Sequence, residues 1–263
     1  GAGGQAARQG LPVTFVGCVG ADAHGASLTA GLRREGIDVR HLRRDEDSQT
    51  GFAVIMFEAD GQNRIVVFPG ANMKIRGADL EEAFRGRYRA VLINLEIPQQ
   101  IVQHTCHLAR ERGLPVILDA GPIRELDFAS LSGLEVISPN ESEARAISGI
   151  ECADEPSTLE AARRILRITP SRYAVIKLGR RGALLYDPNN DRGEMFPALE
   201  VKAVDSTAAG DAFTAALTAT YLRHGDMRRA VRYANAAGAL STTRLGAQPS
   251  LPTLPEVEAF LRD

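Results

Sequence analysis

The sequence predicts an α/β protein whose central sheet is mostly parallel and is flanked by helices on both faces. Short runs of apolar, often β-branched residues alternate with amphipathic stretches along most of the chain, and this alternation is typical of βαβ units. Such short apolar runs suit parallel strands that helices cover on both faces. A chain of 263 residues is long enough for one large domain of this class.

Each strand is predicted from a short apolar run, and the helices from the amphipathic stretches between these runs and from the helix-rich last third of the chain. The predicted strands cover residues 12–19, 90–95, 115–119, 135–137, 173–178 and 183–186. The predicted helices cover residues 98–111, 159–166, 209–223, 227–243 and 255–261.

Residues 51–57 and 63–68 interrupt the alternation with two strand-like runs in direct succession. Between them lies Asp60-Gly61, a dipeptide that favours a hairpin turn. An antiparallel hairpin inserted in a βαβ series often forms a lid or an edge extension, and a plain surface hairpin fits the pattern equally well. The sequence thus predicts a β segment at 51–68 beside an α/β core made of residues 1–50 and 69–263.

The composition excludes several classes of protein. The chain has 31 basic and 33 acidic side chains and a net charge of -2, which argues against a binder of nucleic acid or of anionic membranes. No apolar run approaches the ~18 residues of a membrane span. Cys18, Cys106 and Cys152 lie far apart, so we interpret them as reduced core thiols of a cytoplasmic protein. The Walker A pattern does not occur, which excludes a P-loop kinase.

The chain opens at GAGGQAARQG, with neither an initiator Met nor a first strand. We therefore expect an amino-terminal stretch that contains a strand to be missing. Residues 1–6 fit the pattern G-x-G-x-x-A, but because no strand precedes them they are weak support for a dehydrogenase.

The sharpest chemical signal is the string VDSTAAGDAF at residues 204–213. Ala208, Ala209 and Gly210 stand where an apolar helix is predicted to begin, so a ligand can approach the backbone closely. The free amides of a helix start, together with the helix dipole, form a natural phosphate site. Asp211 falls in the first turn, either aimed at the bound group or present as an acid that the dipole favours.

Residues 205–211, DSTAAGD, resemble the carboxyl-terminal signature DTxGAGD of the ribokinase-like (PfkB) family of sugar kinases. The resemblance covers nearly the whole chain from about residue 10 onward, with the motifs in the family's order. The further matching segments are GAN at 70–72, NLE at 94–96, SPNESEA at 138–144, KLGRRG at 177–182 and RLGAQPS at 244–250. The resemblance implies the ribokinase-like fold, with residues 51–68 as a β-hairpin lid.

The resemblance also implies roles for individual residues. Asp211 matches the catalytic base, and the amides of Ala208, Ala209 and Gly210 match an anion hole for the transferring phosphoryl group. Glu96 and Asp211 match sugar contacts, and Glu143 matches a residue that organises Mg²⁺ indirectly. The implied nucleotide contacts are Asn140, Lys177, Leu178, Gly179, Arg180, Arg181, Gly182, Gly210 and Asn235. The implied K⁺ site comprises Asp205, Thr207, Ser241, Arg244, Gly246 and Ser250, with the Arg244 side chain turned away from the ion.

Several of these matches also have an ordinary structural interpretation. Asn140 and Glu143 have the spacing of a helix capping box. Arg180 and Arg181 suit a plain basic turn, and residues 244–250 suit a bare turn because they contain Gly and Pro.

The implied activity is phosphoryl transfer from ATP, with Mg²⁺ and K⁺, to a sugar hydroxyl. D-ribose, phosphorylated at O5, is the expected acceptor. The alternatives are another sugar or a nucleoside, such as fructose or deoxyribose, and a non-catalytic regulator that binds sugar or nucleotide. The Lys and Asn of the family's GGKGAN sugar motif are missing, so the sugar is inferred from the rest of the chain.

A homodimer through the lid is also implied by the resemblance. Val54, Met56, Val66 and Phe68 are then expected to face the partner's lid or the sugar. Neither a nucleic acid nor a membrane is expected as a partner.

Overall fold

The computed structural model describes residues 2–57, 63–123 and 127–262. The strands are β1 (Thr14–Gly20), β2 (Asp38–Asp45), β3 (Phe52–Phe57), β4 (Asn63–Phe68), β5 (Val91–Ile93), β6 (Val116–Asp119), β7 (Leu134–Ser138), β8 (Ser171–Lys177), β9 (Ala183–Asp187) and β10 (Arg192–Phe196). The α-helices are α1 (Ala2–Arg8), α2 (Ala23–Arg34), α3 (Gly77–Ala83), α4 (Gln99–Glu111), α5 (Glu141–Ser148), α6 (Glu155–Ile168), α7 (Ala209–His224), α8 (Met227–Ser241) and α9 (Leu254–Phe260). Short 3₁₀ turns occur at Gly70–Lys74, Phe128–Ser130 and Gly179–Arg181.

A six-stranded sheet in the order β10-β9-β8-β7-β6-β5 forms the centre of the molecule. Strands β5 to β8 are parallel, while β9 and β10 run antiparallel at one edge. Strands β1 and β2 form a separate parallel pair, and β3 and β4 form a separate antiparallel pair. The prediction of a mostly parallel sheet is confirmed.

Neighbouring residues of the central strands point to opposite faces of the sheet, as the pleat requires. On one face, Leu118, Ile137, Ile176 and Leu184 belong to a core that includes residues of α4, α5 and α6. On the other face, Ile117, Val136, Val175 and Leu185 belong to a core with α7 and α8. Helices therefore cover both faces, as predicted.

Three elements near the amino end, α1, α2 and β2, were not predicted from the apolar pattern. Helix α1 forms where no element was expected. Gln5 of this helix and Gln9, which follows it, are fully buried, and each donates a side-chain hydrogen bond of 3.0 Å to the carbonyl of Pro252. Strand β2 was overlooked because its sequence, DVRHLRRD, is rich in charge and none of its residues is fully buried. Tertiary contacts thus stabilise segments whose composition alone is uninformative.

Strands β3 and β4 form the predicted antiparallel pair, with Val54 paired to Val66 and Phe52 to Phe68. The predicted Asp60-Gly61 turn and the side chain of Met56 lie outside the described residues. At the base of the hairpin, Asp22 accepts hydrogen bonds from the Thr50 amide at 2.7 Å and the Thr50 hydroxyl at 2.6 Å. Since Asp22 also caps α2, this contact ties the hairpin to the core.

In the described ranges, no helix combines the length and the apolar character that a membrane crossing requires. Cys18, Cys106 and Cys152 are all buried free thiols, as predicted.

Candidate active site

Polar side chains follow the carboxyl ends of the parallel strands β5 to β8. Glu96 comes shortly after β5, Asp119 ends β6, Asn140 follows β7 and Lys177 ends β8. The Lys177 amide donates to the carbonyl of Pro139 at 2.8 Å, which brings the ends of β7 and β8 together. Open α/β sheets bind their ligands at this edge, because only there do the loops after parallel strands converge.

The start of α7 also faces this edge. Ala208 precedes the helix in the left-handed conformation, with φ of 63°, and no side chain caps the helix. The amides of Gly210 and Asp211, in the first turn, therefore have no intrahelical acceptor. These amides lie where the anion hole was predicted, and the backbone turns sharply at Ala208. The amide of Ala209, which was predicted as part of the anion hole, instead donates to the carbonyl of Ser206 at 3.2 Å.

Asp211 lies in that first turn, as predicted. Its Oδ1 accepts a hydrogen bond of 3.0 Å from the amide of Ala2, the first residue of α1. The amino-terminal helix therefore contacts the candidate base, although the two are far apart in the sequence. The sequence analysis did not foresee this contact, since the partners are separated by 209 positions.

Lys177 forms a partly buried ion pair with Asp119. Its Nζ lies 2.7 Å from Oδ1 of Asp119, and the two side chains are only 11% and 15% exposed. The hydroxyl of Thr214, on α7, lies 3.0 Å from the other carboxylate oxygen. Neither Asp119 nor Thr214 was predicted as a site residue, although an acid at the end of the predicted strand 115–119 is a signal that could have found Asp119.

Asn140 and Glu143 form the capping box that was the structural alternative. Oδ1 of Asn140 accepts from the Glu143 amide at 2.9 Å, and a carboxylate oxygen of Glu143 accepts from the Asn140 amide at 2.7 Å. Burial raises the pKa of Glu143, while the nearby Lys177 ammonium acts in the opposite direction. The cap orients both residues toward the sheet edge, so it is compatible with a ligand-binding role.

The segment 177–182 forms a tight turn between β8 and β9. Gly179 and Gly182 have φ of 54° and 94°, and a β-carbon at Gly182 would collide with the carbonyl of Phe196. Arg181 turns away to Glu141 and to the carbonyls of Cys152 and Ala153. Its side chain thus has the structural contacts of an ordinary basic turn.

Asn235, on α8, also makes structural contacts. Its Nδ2 donates to the carbonyl of Phe196 at 3.0 Å, and only 9% of the residue is exposed. This bond holds the chain after β10 against α8, close to the turn that contains Gly182.

The candidate K⁺ residues lie on two neighbouring segments that Asp205 joins. Its carboxylate accepts from the amides of Thr207 and Gly246, both at 2.9 Å, and these partners lower the pKa of Asp205. Ser241 and Ser250 are fully buried. Arg244 reaches Glu256 on α9 at 2.6 Å, which keeps its charge on that helix.

The hairpin carries an exposed apolar face. Phe52 and Phe68 stack with ring centroids 4.7 Å apart, and Val54 and Val66 lie beside them. All four side chains are between 43% and 47% exposed.

Residues 4–254 match the family described as pfkB family carbohydrate kinase. The chain belongs to this family, and its fold is the ribokinase-like fold of carbohydrate kinases. One similar protein is the ribokinase of Haemophilus influenzae, which is 33% identical over 97% of this chain and 83% of its own length. Another is the ribokinase of Schizosaccharomyces pombe, which is 32% identical over 94% of this chain and 78% of its own length. The structure of Arabidopsis thaliana ribokinase complexed with ribose and ATP is also similar, with a TM-score of 0.90 and 29% identity over 99% of this chain and 85% of that one.

Proposed function

We propose that this protein is an ATP-dependent ribokinase that converts D-ribose and ATP into D-ribose 5-phosphate and ADP. The observation that carries the proposal is the position of Asp211 in the uncapped first turn of α7, at the carboxyl edge of the parallel sheet. The choice of sugar is supported by the similarity to ribokinases along nearly the whole chain.

The proposed reaction needs positioning and charge neutralisation more than covalent chemistry. Asp211 takes the proton from the primary hydroxyl of the sugar, and Glu96 helps to hold the sugar. The amides of Ala208, Gly210 and Asp211 bind the transferring phosphoryl group, where negative charge is spread in the transition state. The turn at 177–182 and Asn140 hold the nucleotide. Asn235 contributes to nucleotide binding indirectly, because it holds the backbone at Phe196 in place.

Mg²⁺ is proposed as the metal of the nucleotide. Glu143 suits it because carboxylate oxygen is a ligand, direct or through water, that Mg²⁺ prefers. Glu143 is proposed to act on Mg²⁺ indirectly, through water. When bound, Mg²⁺ neutralises phosphate charge.

K⁺ is proposed to bind beside the anion hole. The Asp205 carboxylate accepts hydrogen bonds from the amides of Thr207 and Gly246, so it holds these two segments together. Ser250, four residues after Gly246, is buried. The site would combine the Asp205 carboxylate with main-chain oxygens of Thr207, Ser241, Arg244 and Gly246 and with Ser250. A bound cation orders such a loop and adds positive field next to the phosphate site.

We further propose that residues 51–68 act as a lid on the core formed by 1–50 and 69–263, and that two lids meet in a homodimer. The exposed apolar face of Phe52, Val54, Val66 and Phe68 supports both roles, since contiguous apolar surface marks contact sites. The buried free cysteines and the use of ATP support a cytoplasmic location.

A coupled assay of ADP release tests the proposed function. Ribose, 2-deoxyribose, fructose and adenosine are compared at equal ATP and Mg²⁺, and ribose is expected to give the highest kcat/KM. A higher value for another acceptor would assign the enzyme to that substrate. Absence of turnover with all of them would favour the non-catalytic regulator.

A further inference from the structure

The ion pair between Asp119 and Lys177 bridges two strands that are not neighbours in the sheet. Asp119 ends β6 and Lys177 ends β8, with β7 between them, and the Nζ–Oδ1 distance is 2.7 Å. Because a cation that is largely removed from water needs a paired anion, the Asp119 carboxylate holds the Lys177 ammonium in place.

The second oxygen of Asp119 connects the pair to α7. The hydroxyl of Thr214 lies 3.0 Å from this oxygen and also 3.0 Å from the carbonyl of Gly210, one turn earlier. Asp119 therefore contacts both a cation and the helix whose first turn contains the anion hole.

The Lys177 ammonium lies directly beside that first turn. A β-carbon added at Gly210 would be 3.7 Å from Nζ. An ammonium has three donors, and the pair with Asp119 uses one. A phosphoryl group bound to the amides of Gly210 and Asp211 would therefore lie within reach of the two remaining N–H donors of Lys177.

We propose that Asp119 is a positioning residue for phosphoryl transfer, and that it holds Lys177 where the ammonium contacts the transferring phosphoryl group. Lys177 then acts on the reacting group itself rather than only on the nucleotide. This inference rests on the proposed kinase reaction, but it does not depend on which sugar is phosphorylated. It differs from a purely structural ion pair because it predicts preferential stabilisation of the transition state.

The test compares Asp119→Asn and Lys177→Met, which keep size and remove charge. With the best acceptor of the sugar panel, each variant is expected to lower kcat 10- to 100-fold while KM for the sugar changes less than threefold. Lys177→Arg, which keeps the charge, is expected to retain more activity than Lys177→Met. The double variant is expected to be no slower than the slower single variant, since Asp119 acts through Lys177.

A binding measurement separates this inference from the proposed function. By calorimetry, both variants are expected to lose at least tenfold in affinity for ADP with aluminium fluoride, a mimic of the transferring phosphoryl group, and less than threefold for ADP alone. This result does not require ribose to be the substrate. Failure of wild-type protein to phosphorylate ribose would overturn only the assignment of the sugar.

Arg172→Met is the matched control, because Arg172 pairs with Glu135 at 3.0 Å near the opposite ends of β7 and β8. It is expected to change neither kcat nor affinity for the mimic. Unchanged kcat and unchanged affinity for the mimic in Lys177→Met would overturn the proposal, as would independent, multiplicative effects in the double variant. If a single variant does not fold, the double variant, which leaves no unpaired buried charge, supplies both measurements.

Discussion

Asp211 is the residue on which the proposed chemistry depends most directly. Asp211→Asn keeps the shape of the side chain and an oxygen that can accept from the amide of Ala2, but it removes the proton acceptor. Loss of a general base costs about 10²–10⁴-fold in rate, so kcat in the coupled assay is expected to fall by that factor. Affinity for ADP should stay within a few fold of wild type, because the anion hole is made of main-chain amides.

The matched control at this scale is Asp38→Asn. Asp38 begins β2 and pairs with Arg40 on the surface, so its loss should leave kcat unchanged. Wild-type turnover by Asp211→Asn would refute the role of Asp211 as the base.

The hairpin is the element whose behaviour is most open to measurement. If residues 51–68 close over bound sugar, saturating ribose should slow amide hydrogen exchange in Phe52–Phe57 and Asn63–Phe68. Strand β9, which pairs with β8 and β10 in the central sheet, serves as the internal reference and should not change. Equal exchange with and without sugar in the hairpin would argue against a lid.

The base of the hairpin predicts a dependence of stability on pH. Hydrogen bonds from Thr50 and Gly25 lower the pKa of Asp22 to about 2, from an ordinary value of 3.8. The stabilisation by the carboxylate is therefore present above pH 3.8 and is lost as the pH falls toward 2. The Tm difference between wild type and Asp22→Asn should be largest near neutral pH and should shrink under acid conditions.

Thr50→Val is the companion variant for this experiment. It removes the hydroxyl that donates to Asp22 at 2.6 Å and should weaken the same pH dependence. A Tm difference that stays constant across the acid range would show that the Asp22 carboxylate does not stabilise the hairpin base.

At the scale of the whole molecule, Asp205 joins the loop before α7 to the segment after α8. We expect K⁺ to raise kcat well above the value in Na⁺ at equal ionic strength and constant Mg²⁺, because the larger ion suits a site built from main-chain oxygens. Asp205→Ala should abolish the difference. The rate of Arg244→Gln should still depend on K⁺, since the Arg244 side chain lies on Glu256. Equal rates in K⁺ and Na⁺ for wild type would refute the site.

The apolar face of the hairpin predicts the oligomeric state. Val54→Glu combined with Val66→Glu places two charges on directly paired positions of that face. Wild type is expected to sediment as a dimer, and the variant as a monomer with an unchanged Tm for the core. A wild-type monomer at micromolar concentration would contradict the proposed dimer.

The sequence by itself determined the fold class, the order of most central strands and helices, and the position of Asp211 in the first turn of a helix. These features depend on local periodicity and on a contiguous motif, so they can be predicted without knowing what packs against what. The hairpin strands and the capping box of Asn140 and Glu143 are equally local.

Only the tertiary structure decided which distant groups meet. Asp119 and Lys177 are 58 positions apart, and Ala2 and Asp211 are 209 positions apart. Arg181 is expected to contact nucleotide, and the structure places its side chain on Glu141, 40 positions earlier in the chain. Such contacts arise because sheet order and helix packing bring the ends of separate segments together, and a periodic pattern contains no information about that pairing.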